Sequence, residues 1–145
     1  MSIKQISVFL ENKPGKLQDM TTLLAAHNID IRALSLAETK DFGIARLIVD
    51  DVFEAANVLK EDNFVASFSP VLAFEIPDET GGLNTLLQHF TDAKVNIEYM
   101  YAFLDGKNQK KAYMIFRVAN TKDAEAALAA KGLTALSQED IYNKF

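Results

Sequence analysis

The chain has 145 residues, a normal share of apolar and charged side chains, a net charge of −5 and no cysteine. Without cysteine there is no disulfide framework, thiolate nucleophile or cysteine-ligated zinc. Acidic and basic residues are mixed along the chain with no basic cluster to follow a phosphate backbone, which argues against nucleic acid as a partner.

A chain this long buries roughly 70% of its unfolded surface, so it needs no staples. The N-terminal MSIKQISVFLENK lacks the apolar stretch of a signal peptide, and no apolar run reaches the ~20 residues of a membrane span. The expectation is a cytoplasmic protein with no membrane partner.

In chain order, residues 5–11 alternate, with Ile6, Val8 and Leu10 on one face and Gln5, Ser7 and Phe9 on the other, which predicts a strand. ENKPG follows, and then Leu17, Met20, Leu23 and Leu24 at helical spacing. A strand that passes to a helix through Pro14 and Gly15 admits two readings. The pair makes a tight turn, or the glycine lets a small anionic group approach the free amides at the helix start. Asn28 breaks the helix, and IDIRALSLAE and IARLIVD read as a hairpin closed by DFG. Asp50-Asp51 caps a second helix with Val52, Ala55, Ala56 and Leu59 inward, and FVASFS reads as a fourth short strand. The order is β-α-β-β-α-β.

Pro70 is expected to stop that strand before the order starts again. VLAFEI is a strand, PDETGGL a turn, and Leu83, Leu86, Leu87 and Phe90 a helical stripe. NIEYMYAF and AYMIFRV pair across LDGKNQKK. Thr121 opens a helix with Ala124, Ala127 and Leu128 inward, LTAL reads as a last strand, and SQEDIYNKF is a polar tail. Gly15 pairs with Gly81 and Leu17 with Leu83, both 66 apart; Asn28-Ile29 pairs with Asn96-Ile97, 68 apart; Val49, Ala55 and Leu59 pair with Val118, Ala124 and Leu128, 69 apart. This is an internal duplication, with repeats at 1–69 and 70–145. The fold class is α+β: two ferredoxin-like βαββαβ units, each an antiparallel sheet with helices on one face.

Little in the chain resembles catalytic chemistry. His27 and His89 each close a first helix with no second histidine one turn away, so no metal site is expected. No G-x-S-x-G elbow surrounds a serine. Glu38, Asp41, Asp50 and Asp51 could pair as acid and base, yet hairpin and helix-cap roles account for them. Lys107, Lys110 and Lys111 line the second hairpin and read as solvated.

Two polar features recur: the turn Asn12-Lys13-Pro14-Gly15 against Asp78-Glu79-Thr80-Gly81, and Asn28-Ile29-Asp30 against Asn96-Ile97-Glu98. They lie at opposite ends of a helix, so one repeat cannot bring them together. On "ENKPGKL", "NIDIRALSL", "FGIARLIVDD", "VLAFEIPDETGGL", "NIEYMYAF" and "GLTALSQEDIY", the chain resembles the stand-alone tandem ACT-domain proteins over its whole length. The resemblance implies a non-catalytic regulatory sensor that holds a free amino acid between paired ACT copies and uses no cofactor. It implies one site from Asn12, Pro14, Gly15, Lys16 and Leu17 with Asn96, Ile97 and Glu98. Its pseudo-equivalent is formed by Asp78, Gly81, Gly82 and Leu83 with Asn28, Ile29 and Asp30. Helix-start amides suit an α-carboxylate, and Asn and carboxylate side chains suit an α-ammonium. A homodimer and a separately encoded regulated enzyme are the implied partners. The alternative is an interaction module that acts on an enzyme without binding ligand.

Overall fold

The computed structural model describes residues 2–39, 41–103 and 110–144; Lys107 of the second hairpin lies outside them. Eleven elements follow in chain order: β1 (Ile3–Glu11), α1 (Lys16–Ala26), β2 (Ile31–Glu38), β3 (Phe42–Val49), α2 (Val52–Glu61), β4 (Val65–Pro77), α3 (Gly82–Asp92), β5 (Ile97–Ala102), β6 (Lys111–Val118), α4 (Thr121–Ala129) and α5 (Gln138–Lys144). Lys4–Ser69 form one compact unit, and the chain from Pro70 onward, with the first three residues, forms the other.

In the first unit the strand order is β2-β3-β1-β4. β3 lies antiparallel to both neighbours, with Ile6 opposite Leu47 and Leu47 opposite Leu34. The period-2 alternation of β1 puts Ile6, Val8 and Leu10 on the helix side. There they pack with Met20 and Leu24 of α1 and Val52, Ala55, Val58 and Leu59 of α2.

The second unit repeats this core one residue at a time. Leu72, Phe74 and Ile76 of β4 stand where Ile6, Val8 and Leu10 stood, with Leu86 and Phe90 of α3, Phe116 and Val118 of β6, and Ala124 and Leu128 of α4. β6 is antiparallel to β4 and β5. Phe74, Phe90 and Phe116 form a tilted aromatic trio with centroids 4.6–6.3 Å apart. Each unit is ferredoxin-like, with its helices on one face of an antiparallel sheet.

Two expectations fail at the strands. Pro70 does not stop β4, which runs unbroken for 13 residues from Val65 to Pro77. Proline fits an extended backbone and lacks only the N–H, which matters where a ladder bond requires it. Pro70 is exposed, and its carbonyl accepts from Arg117 Nη1 at 2.7 Å. LTAL is not a strand either: residues 133–136 are irregular and keep one bond to β4, from Leu136 N–H to the Ala73 carbonyl at 2.8 Å. The polar tail forms α5, where Ser137 and Asp140 exchange a reciprocal capping pair of bonds.

The helix ends correct the repeat alignment. α1 to α4 are each followed by a residue of positive φ: Asn28 (56°), Asn63 (67°), Lys94 (59°) and Gly132 (84°). In each case that residue's N–H bonds three residues back, and the next N–H bonds five back, as Asn28 to Ala25 and Ile29 to Leu24, or Lys94 to Thr91 and Val95 to Phe90. This is the left-handed helix stop. Asn28 therefore corresponds to Lys94, and Asn96 corresponds to Asp30. The 66-residue offset persists through the first helix into the following strand, where Ile31 and Ile97 occupy the same register position against Val49 and Val118. The 68-residue pairing of Asn28 with Asn96 matched letters rather than places.

Candidate functional site

Each first helix begins on a left-handed glycine, Gly15 at φ 88° and Gly81 at φ 87°. β1 ends, the Lys13 N–H turns back to the Glu11 carbonyl (2.9 Å), and the Lys16 N–H bonds to Lys13 (3.3 Å). The second turn copies this, Glu79 to Pro77 at 3.0 Å and Gly82 to Glu79 at 3.0 Å. Each turn is tied to its neighbouring hairpin, Asn12 N–H to the Asp41 carbonyl (3.3 Å) and Asp78 N–H to the Lys110 carbonyl (2.9 Å).

α1 and α3 carry no side-chain cap. The amides of Leu17 and Gln18, and those of Leu83 and Asn84, have no hydrogen-bond partner among the described residues. The other two long helices differ: Asp51 caps α2 through the Glu54 N–H (3.1 Å), and Asn120 caps α4 through the Asp123 N–H (3.1 Å). Uncapped amides at a helix start attract an anion.

The two turns differ in charge and in space. The first carries Lys13 and Lys16; the second carries Asp78 and Glu79. Lys13 Nζ sits 3.0 Å from Glu11 and, with help from Lys16, holds the Glu11 carboxyl below the usual carboxylate range. A Cβ on Gly15 or Gly81 would meet nothing within 4 Å, whereas a Cβ on Gly82 would come 2.3 Å from the Pro77 carbonyl oxygen. The second helix start is therefore pressed onto the end of β4. At the same place in the first unit, Lys16 has a full side chain.

The remaining expected site residues lie past the far end of each helix. An 11-residue helix is about 16 Å long, so turn and strand start stay apart within a unit. Asn28 is the left-handed stop, and Ile29 is buried in the core. Asp30 pairs with Arg32, and its N–H donates to Asp50 Oδ1 at 3.0 Å; the same oxygen accepts from Asp51 N–H at 2.8 Å. Asp50 thus ties β2 to the start of α2, a structural use of the acidic stretch. Ala119 stands at the matching place in the second unit. A groove of about 400 Å³ opens there, lined by residues 93–96 and 118–120, with Asn96 exposed on it. Glu98 reaches Arg117 Nε at 3.5 Å. Ile97 opens β5.

One feature of the first unit was not among the expected site residues. A groove of about 780 Å³ runs along α1 past Lys16, Asp19, Leu23 and Ala26, and is also lined by Phe9, Glu11, Phe42 and residues 62–65. Period-2 alternation already put Phe9 on the face opposite Val8, but the approach of residues 62–65 depends on the tertiary fold.

Among the described residues no cluster of three or more His, Asp or Glu could hold a metal, and no helix is long and apolar enough to cross a membrane.

A family model described as "ACT domain pair" matches residues 1–144. Among solved structures, protein BT0572 from Bacteroides thetaiotaomicron is 37% identical with a TM-score of 0.89, over 99% of this chain and 97% of that one. The ligand-free regulatory subunit of aspartate kinase from Thermus thermophilus is 19% identical with a TM-score of 0.65, over 89% and 90%. Its Thermus flavus counterpart is 18% identical at 0.60, over 88% of each chain. The likeness to these two is one of fold. No curated protein matches. Two repeats of one ferredoxin-like core, each entered through a left-handed glycine and matched over nearly the full length, place this chain in the ACT domain pair family.

Proposed function

We propose that this ACT pair is a non-catalytic regulator that binds a free amino acid and transmits its level to a separate enzyme. The observation that carries the reading is the contrast among its helix starts. α2 and α4 are capped by their own side chains, whereas α1 and α3 start on a left-handed glycine with no side-chain cap. The ligand's α-carboxylate takes the amides behind that glycine. Its ammonium takes Asn96 and Glu98, or Asp30, of another ACT copy that pairs with the turn.

The two half-sites are unequal. A carboxylate is favoured beside Lys13 and Lys16 and repelled beside Asp78 and Glu79. Asn96 lies open on a groove, while Asp30 is engaged by Arg32. The turn at Asn12–Leu17 with Asn96 and Glu98 is the stronger site.

A thermal-shift screen against the twenty amino acids tests the reading. A selective rise supports it. The absence of any rise at millimolar ligand favours the interaction module instead, for which the exposed Phe53–Phe68 pair with Lys4 above both rings is the supporting observation.

A further inference from the structure

The 780 Å³ groove of the first unit lies in the size range of small-molecule pockets. Its wall and floor combine two chemistries. Phe9, Leu23, Phe42 and Phe64 supply apolar surface, and two of these rings stand open to solvent, Phe9 at 45% and Phe42 at 55% exposure. Lys16 and Asp19, one helical turn apart on α1, bring opposite charges to the same groove. An apolar lining beside one cation, Lys16, and three carboxylates, Glu11, Asp19 and Asp62, complements a molecule with a bulky hydrocarbon part and a head that carries an ammonium as well as a carboxylate.

We infer that the ligand is an α-amino acid with a large apolar side chain, which occupies this groove while its carboxylate lies on the Lys16 side. The inference rests on the amino-acid-binding reading above and narrows it to a ligand class. Apolar selectivity follows from area: a small side chain leaves the phenyl rings wet, and an acidic one meets the carboxylates of Glu11, Asp19 and Asp62. Each methylene that fills such a surface is worth several-fold in affinity.

Isothermal titration of the full chain with L-leucine, L-phenylalanine, L-alanine, L-lysine and L-glutamate tests the inference, run beside Phe42→Ala and Thr22→Trp. Both positions are exposed, one on β3 and one on α1, so the two variants challenge the fold independently; circular dichroism checks each. L-Leucine or L-phenylalanine is expected to bind at least tenfold more tightly than L-alanine, a gap set by the extra carbons. Phe42→Ala reduces that gap several-fold with little change for L-alanine, and Thr22→Trp, which fills the groove, removes binding. Tighter binding of L-alanine, L-lysine or L-glutamate, or unchanged affinities in both variants, overturns the inference and leaves the amino-acid reading standing. Loss of self-association in the variants with ligand affinity intact also overturns it, and assigns the groove to a second copy of the chain. If none of the twenty amino acids binds the folded wild type, the amino-acid reading itself falls.

Discussion

Gly15 and Gly82 are both glycines at a helix start, for different reasons. At Gly15 the backbone is left-handed and the space beside it is empty, so a side chain costs conformational energy but meets nothing. Gly15→Val is therefore expected to keep the fold and lose ligand. Ligand at a hundredfold its dissociation constant adds about 2.7 kcal/mol to wild-type stability; in the variant that increment should shrink at the first site, as read by ligand-dependent thermal melting. An undiminished increment would leave the glycine serving the turn alone. At Gly82 the Cβ would sit 2.3 Å from backbone. Gly82→Ala is expected to destabilise by about 1–3 kcal/mol, the usual range for overpacking, and by more than Gly81→Ala in the same denaturant titration. Asn28 and Lys94 make a similar pair. Lysine is strained in the left-handed region, so Lys94→Gly should stabilise by about 0.5–1 kcal/mol, while Asn28→Gly should be near neutral. A lower denaturation midpoint for Lys94→Gly would contradict this.

At the scale of elements, the turns decide affinity through charge. The first pairs its open amides with Lys13 and Lys16; the second faces its own amides with Asp78 and Glu79. Reversing the second turn with Asp78→Asn and Glu79→Lys is expected to raise amino-acid occupancy there, seen as a rise toward two ligands per chain in titration. A stoichiometry that stays fixed would mean that charge is not what separates the turns. The cap of α2 predicts the opposite kind of effect: Asp51→Ala should cost about 1 kcal/mol of stability and leave ligand affinity unchanged.

For the whole molecule, exposed apolar side chains gather in patches, Phe53 against Phe68 and Phe9 with Phe42 along one groove, and such patches mark interfaces. Self-association to at least a dimer is the expected outcome, measured by light scattering at micromolar concentration against the 16.1 kDa of one chain. A monomer under those conditions would oppose it.

The sequence by itself determined the duplication, the order of helices and strands apart from the break expected at Pro70 and the last strand, and the apolar faces that become the two cores. These are local periodicities, and Ile6-Val8-Leu10 and Leu72-Phe74-Ile76 carry the same pattern in one dimension as in three. It also determined the two glycine turns, because only glycine takes φ near 88° at no steric cost. Tertiary structure decided the rest. Pro70 sits where its carbonyl finds Arg117, 47 residues away, so the strand passes through it. Asn28 and Asn96 share a letter but not a place, since a left-handed stop is specified by backbone hydrogen bonds and accepts lysine as well as asparagine. The groove beside α1 exists because residues 62–65 return to the end of β1. Long-range packing sets that return, and the spacing of residues along the chain does not encode it.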